Sequence, residues 1–163
     1  MDNFESLIKE YHPIIYKICR IYSKNDDFDD LYQEVLINLW KSYKTFEGRS
    51  KLSTWLYRVS LNTALTYQRN TKKYTNKVSL EYVPETRSVE NETDNNELKV
   101  QKLYDAISQF KKIDRSIILL YLEEKTYQEI AELTGLTATN IGVKVNRLKK
   151  KLFRILKEMN YEG

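Results

Sequence analysis

An all-α fold, organised as two small helical domains joined by a flexible linker, follows from three features of the sequence. Four glycines and two prolines in 163 residues leave few points at which a helix must break. Apolar residues recur every third or fourth position almost throughout, and no stretch alternates apolar with polar residues as a half-buried strand would. Between Tyr74 and Asn96 the periodicity lapses into YTNKVSLEYVPETRSVENETDNN, a polar segment, acidic in its second half, that holds Pro84. This lapse is read as dividing the chain into domains at 1–75 and 97–163 around a linker at 76–96, free to change their spacing on a shared partner; the alternative is a long surface loop within a single domain.

Element by element, the apolar spacing predicts helices over Asn3 to Ser23, Asp27 to Tyr43, Thr54 to Lys73, Glu97 to Phe110, Asp114 to Glu123, Tyr127 to Leu133 and Thr139 to Met159. In the first, Tyr11, Ile14, Ile15, Ile18 and Tyr22 form an apolar series that includes Cys19, so a small buried thiol is expected there. His12 precedes Pro13 on the same segment and reads as structural, with Pro13 bending the helix. The second helix opens on the acidic run Asp26, Asp27, Asp29 and Asp30, at the end where the helix dipole favours anions. Its apolar stripe is Leu31, Val35, Leu39 and Trp40; Asp30, Gln33, Glu34 and Ile37 lie off that stripe.

A polar loop, FEGRSK, leads into the third helix, which presents Arg58, Asn62, Thr66 and Arg69 at spacings of three and four and ends on Lys72 and Lys73. Phe46, Trp55, Tyr57 and Tyr67 stand beside that stripe. Aromatic rings next to cations suit unpaired bases, the rings stacking while the cations follow the backbone. For Tyr57 and Tyr67 a place in the core is the stronger expectation.

Near the C-terminus, YQEIAELTGLTATNIGVKVNRLKKKL divides into a short helix ending at Gly135 and a longer one beginning near Thr137 or Thr139, the spacing of a helix-turn-helix. Ile141, Val145, Leu148 and Leu152 give the longer helix its packing stripe, and Thr139, Asn140, Val143, Lys144, Asn146 and Arg147 its outer face. Hydroxyl, amide and cationic groups at the start of an exposed helix can meet base edges and phosphates in the major groove. Lys149, Lys150, Lys151 and Arg154 extend the positive charge, which predicts salt-sensitive binding. Gly142 inside this helix offers no side chain to a groove, so direct base readout is expected to be modest.

Composition excludes several function classes. A net charge of +4 and a hydrophobic fraction of 41% rule out a wholly disordered chain. With one cysteine and one histidine, disulfides, four-ligand zinc sites and histidine-based triads cannot be assembled within one chain. No catalytic residue, metal ligand or cofactor is assigned. No apolar run approaches the roughly twenty residues that span a bilayer, and Met1 leads into DNFESLIKEY rather than a basic and then apolar leader, so a cytoplasmic protein is expected.

Three segments in one order resemble the bacterial RNA polymerase sigma factors, specifically the small two-domain extracytoplasmic-function (ECF) group. DLYQEV (Asp30 to Val35) resembles their polymerase-binding segment, STWLYRVSLNTALTYQR (Ser53 to Arg69) their promoter-melting and minus-ten helix, and TYQEIAELTGLTATNIGVKVNRLKKKL their minus-35 helix-turn-helix. The resemblance implies a non-enzymatic factor that directs core RNA polymerase to promoters and helps open the minus-ten region. It assigns Asp30, Leu31, Gln33 and Glu34 to the clamp helices of the polymerase's largest subunit. It assigns Phe46, Arg49, Ser50, Lys51, Trp55, Arg58, Asn62 and Arg69 to single-stranded minus-ten DNA, the loop from Phe46 to Ser53 forming a pocket for a flipped base. It places Thr139, Asn140, Val143, Lys144, Asn146 and Arg147 at the minus-35 duplex. Further partners implied are the polymerase subunit met by the second domain and an anti-sigma factor; Gly142 is the motive for adding another DNA-targeting partner. Departures from the family pattern are Phe110 and Lys111 where a Leu-Pro pair is common, Thr66 where an acidic residue often stands, and Gly142 itself.

Two other readings fit parts of the chain. One is a stand-alone helix-turn-helix regulator that binds duplex DNA as a dimer, protecting two-fold half-sites. The other is a nuclease holding Mg²⁺ on Asp29, Asp30 and Glu34, though an acidic helix start is more often a cap.

Overall fold

The computed structural model describes the backbone of residues 2–77 and 95–162, and side chains at 3–24, 26–67 and 95–160. Among these residues all regular structure is helical: α1 (Asp2–Tyr22), α2 (Phe28–Tyr43), α3 (Leu52–Lys77), α4 (Asn95–Ser108), α5 (Lys112–Leu122), α6 (Tyr127–Thr134) and α7 (Ala138–Glu162), with a 3-10 turn at Asn25–Asp27 before α2. Each expected helix is present with its ends moved by a few residues. The largest shift is at α3, which runs on to Lys77, so the expected boundary at 75 falls inside a helix. Most of the expected linker lies outside the described residues. Pro13 sits inside α1, which continues through it.

In the N-terminal half, α1, α2 and α3 pack pairwise around Ile15, Ile18, Leu31, Val35, Leu39 and Leu56. Cys19 is wholly buried among them, and burial pushes its thiol up to about 12, which leaves it protonated and unreactive. His12 is exposed; its Nδ1 shares a 2.6 Å hydrogen bond with the Tyr32 hydroxyl, linking α1 to α2. In the C-terminal half, α7 packs on α4, α5 and α6 around Ile107, Phe110, Ile117, Ile130, Ile141 and Val145.

Short-range chemistry shapes the turns of the second half. Arg115 Nε donates to the Phe110 carbonyl at 2.8 Å, which closes the α4–α5 turn where the sequence carries Phe110 and Lys111. At the end of α5, Lys125 N–H reaches the Leu120 carbonyl and Glu124 N–H the Tyr121 carbonyl, both at 3.0 Å. This paired arrangement holds Glu124 at φ 64°, a conformation usually left to glycine. Thr126 then caps α6, and Gly135 ends it at φ 80°.

The two halves also pack against one another, α1 on α4 and α5, and α3 on α6. Lys17 Nζ pairs with Glu123 at 2.6 Å, Arg20 with Asp105 at 3.3 Å, and the buried Tyr22 hydroxyl donates to the Lys112 carbonyl at 2.7 Å. Lys125 Nζ lies 5.0 Å from the Tyr57 ring centroid. These contacts leave the outer faces of α2, α3 and α7 uncovered.

Candidate nucleic-acid interface

The acidic surface comes from the start of α2. Asp29 and Asp30 occupy its first turn, and Asp30, Gln33 and Glu34 are exposed. Asp27, just before the helix, has its carboxyl raised by partial burial and then by the neighbouring charges of Asp30 and Asp26. Like charges held this close favour a cationic partner that relieves them. Leu31 differs from its expected role. It is wholly buried and turned into the α1–α2–α3 core, so it anchors the face without being available to touch a partner. Among the described residues, no group of three or more His, Cys, Asp or Glu side chains could hold a metal ion.

A second surface joins the loop before α3 to α3 itself. Gly48 turns the loop at φ 75°, which a side chain would strain. Arg49 and Lys51 are exposed and Ser50 half-buried; Arg49 pairs with Glu47 at 3.1 Å. Trp55 is 9% exposed, its ring 5.1 Å from that of Phe46 and 6.2 Å from that of Tyr43. Trp55 therefore cannot offer a face to an incoming base; it braces Phe46, which is half-buried. Tyr57 is buried, in keeping with its core reading. Arg58, Asn62 and Thr66 are exposed at successive turns, and the side chain of Arg69 lies outside the described residues.

A cleft of about 320 Å³ connects these two surfaces, lined by Glu34, Asn38, Asn62, Thr63, Thr66 and Tyr67. Asn38 Nδ2 donates to Thr63 Oγ1 at 3.0 Å across it, and Thr63 in turn donates to the Val59 carbonyl at 2.7 Å. Asn38 and Thr63 went unassigned in the sequence because their partnership spans two helices with no local signal.

The third surface is the outer face of α7. Thr126 and Glu129 form a reciprocal capping box at the start of α6. Its hydrogen bonds from Thr126 hold the Glu129 carboxyl below the usual value, with smaller help from Lys125 and from Lys51 of the α3 loop. Thr137 Oγ1 accepts from Asn140 N–H at 3.1 Å, capping α7. From there Thr139, Asn140, Asn146 and Arg147 are exposed, and Val143 is 64% exposed. Lys150, Arg154 and Lys157 prolong the same exposed face. Lys144 is placed differently from the others: it turns toward α5, where its Nζ pairs with Asp114 at 3.5 Å. Helical spacing could not reveal this, since Asp114 lies thirty residues away.

Gly142 also stands apart from the open face. A Cβ there would lie 3.3 Å from Cε2 of Tyr127, so its missing side chain makes room for α6 rather than leaving a gap in the reading surface. In the sequence Tyr127 reads only as the first residue of a helix, and glycine within the facing helix is the available hint.

Comparison with known proteins gives a consistent result. The family model described as Sigma-70 region 2 matches residues 7–74, and that described as Sigma-70, region 4 matches 100–152. Among curated relatives, the ECF RNA polymerase sigma factor SigW of Bacillus subtilis is 26% identical across 97% of this chain and 91% of its own length. SigX of the same organism is 28% identical across 94% of this chain and 86% of its own. Among solved structures, the sigma factor RpoE from Bartonella quintana, crystallised with the anti-sigma factor NepR, superposes with a TM-score of 0.74 at 22% identity, covering 96% of this chain and 98% of that one. CnrH, in complex with the cytosolic domain of CnrY, gives 0.66 at 17% identity over 95% of this chain and 88% of that one. Both structural likenesses bear on the fold.

Proposed function

The chain belongs to the extracytoplasmic-function group of RNA polymerase sigma factors, and from that premise we propose how its three surfaces divide promoter initiation among them. As a sigma factor it directs RNA polymerase to promoters. Its work is delivery and strand opening, with the bond-making chemistry left to polymerase, and its place is the cytoplasm, where polymerase and chromosome meet.

Asp30, Gln33 and Glu34 hold the clamp helices of the largest subunit, with Leu31 as their buried anchor. The crowded carboxylates around Asp27 suit basic residues on such a partner. Beside them, Arg49, Ser50, Lys51, Arg58, Asn62 and Arg69 follow the unpaired minus-ten strand, and Phe46, braced by Trp55, takes the stacked base. Flipping a base out of its stack costs a few kcal/mol, which a shaped loop and backbone contacts offset once polymerase holds the DNA. On α7, Thr139 and Asn140 lie near phosphates, while Val143, Asn146 and Arg147 face the minus-35 groove. Lys144 reaches the DNA on leaving Asp114.

An anti-sigma factor is a further partner, as it is for the RpoE with which this fold superposes. The single observation that carries the N-terminal part of this reading is the cleft lined by Glu34, Asn38, Asn62 and Thr66. It sets Glu34 of the acidic face beside Asn62 and Thr66 of α3, which supports a factor that opens DNA while gripped by polymerase.

Run-off transcription tests it, using bacterial core polymerase, genomic promoter fragments and mapped starts. Starts that need the protein and vanish with Asn62→Ala establish the division of labour. Absent starts, with symmetric protection of duplex DNA by the protein alone, point instead to a dimeric regulator.

A further inference from the structure

A helix that reads duplex DNA depends on its seating against the helix beneath, because a small change in tilt moves every side chain on its outer face. In α7 the buried Ile141, Val145 and Leu148 make most of that seating, and Gly142, beside Val143 and about one turn from Asn146, meets Tyr127 at the start of α6. Gly48 and Gly135 adopt positive φ and have nothing within 4 Å of where a Cβ would stand. Gly142 is the opposite case. It lies in regular helix, where glycine is disfavoured and nothing in the backbone calls for it. What sets it apart is a close neighbour: a Cβ would stand 3.3 Å from Tyr127 Cε2 and 3.5 Å from Cδ2, so the ring would have to shift by a few tenths of an ångström to admit it.

Tyr127 is itself well placed to act as a spacer. It is the first residue of α6, directly after the Thr126 cap whose box with Glu129 fixes that turn. The residue is 39% exposed, so it lies at the rim between the α6–α7 contact and the open face. By contrast Ile141 and Val145, on either side of Gly142 in sequence, are wholly buried in the core.

We propose that Gly142 and Tyr127 form a positioning pair for duplex recognition, the ring filling the volume a side chain at 142 would claim and so setting how α7 presents Val143, Asn146 and Arg147. The pair rests on the reading of α7 as the duplex-facing helix. Neither residue needs to touch a base, and the glycine is a device for specificity rather than a missing contact.

A double-mutant cycle in the full chain, assembled with core polymerase, tests the pair. The readout is protection of duplex DNA upstream of a start mapped on genomic fragments, together with the thermal midpoint of the free protein. Gly142→Ala should weaken upstream protection several-fold without lowering the midpoint, since alanine favours helix while its methyl displaces the ring. In a Tyr127→Ala background, where that space is vacant, Gly142→Ala should cause no further loss. Tyr127→Phe, which keeps the ring, should behave as the natural chain. Full protection by Gly142→Ala, an equal loss in both backgrounds, or a Tyr127→Phe variant as poor as Tyr127→Ala would overturn the pair. A natural chain that initiates without protecting the upstream duplex overturns the premise beneath it instead.

Discussion

The two halves of this molecule build their outward surfaces in opposite ways. In the C-terminal half the proposed reading face is one helix, and the turns on either side of α6 that lead into it are capped by neighbours in sequence. Thr126 and Glu129 cap α6, Gly135 ends it and Thr137 caps α7. In the N-terminal half α2 starts without a side-chain cap. There the surface is assembled by ring contacts between separate elements: Phe4 on Trp40 at 5.0 Å, Tyr43 on Trp55 and Phe46 of the loop on Trp55. A duplex groove accepts a straight, preformed rod, whereas a melted strand needs a loop, a cleft and two helices held in register. The first can be encoded locally; the second depends on the core.

That contrast can be broken at its keystone. Replacing Trp55 with alanine should cost about 3–5 kcal/mol in denaturant unfolding, as buried aromatic truncations do. It should also loosen Phe46, so that binding of single-stranded minus-ten DNA falls with stability. Little loss in either would mean that the loop is held by something other than the ring cluster.

A smaller effect is expected where the N-terminal surface meets its partner. The double substitution Asp30→Ala with Glu34→Ala removes two exposed charges from outside the core, so the melting temperature should barely move. Affinity for core polymerase should fall by roughly two- to thirtyfold, each exposed charged contact contributing on the order of 0.2–1 kcal/mol. Undiminished affinity by titration against core enzyme would remove the acidic face from the assignment.

In the C-terminal half, local chemistry predicts a local penalty. Thr126→Ala should cost about 1 kcal/mol, the usual value of an N-cap, while leaving the polymerase contact intact. The same cap has a pH signature. Glu129 is held below its ordinary value by Thr126, so its contribution is complete above the unfolded-state carboxylate pKa and is lost as pH falls through the lowered folded value. Stability of the natural chain should therefore drop more steeply in acid than that of Glu129→Gln; parallel acid titrations would show the box to be inert.

The smallest change lies at the α5–α6 turn. Glu124 pays a steric cost at φ 64°, so Glu124→Gly should stabilise by about 0.5 kcal/mol, the relief offset in part by glycine's greater freedom when unfolded. A loss of stability in thermal melts would indicate that the carboxylate contributes more than its backbone costs.

The legible part of the molecule follows the same division. Among the described residues the seven α-helices, the helix-turn-helix and the exposed run through Thr139, Asn140, Val143, Asn146 and Arg147 could be read directly, because 3.6-residue periodicity and capping residues act over a few positions. The same periodicity placed Lys144 on the open face, and the structure turns it to Asp114 instead, a partner on another helix. Leu31 and Trp55 carried resemblance to contact residues yet are core, since a motif records which residues a surface needs without separating those that touch from those that brace.

By itself, then, the sequence determined the helical class, the order of the surfaces and the sign of their charge, all properties carried by side-chain type and short-range spacing. Tertiary structure alone decided which of those residues face outward. It joined Glu34 to Asn62 across a cleft, set Tyr127 against Gly142 and tied Lys17 to Glu123 between the halves. Each of these depends on how helices distant in sequence close on one another, which is fixed by the packing of the whole core.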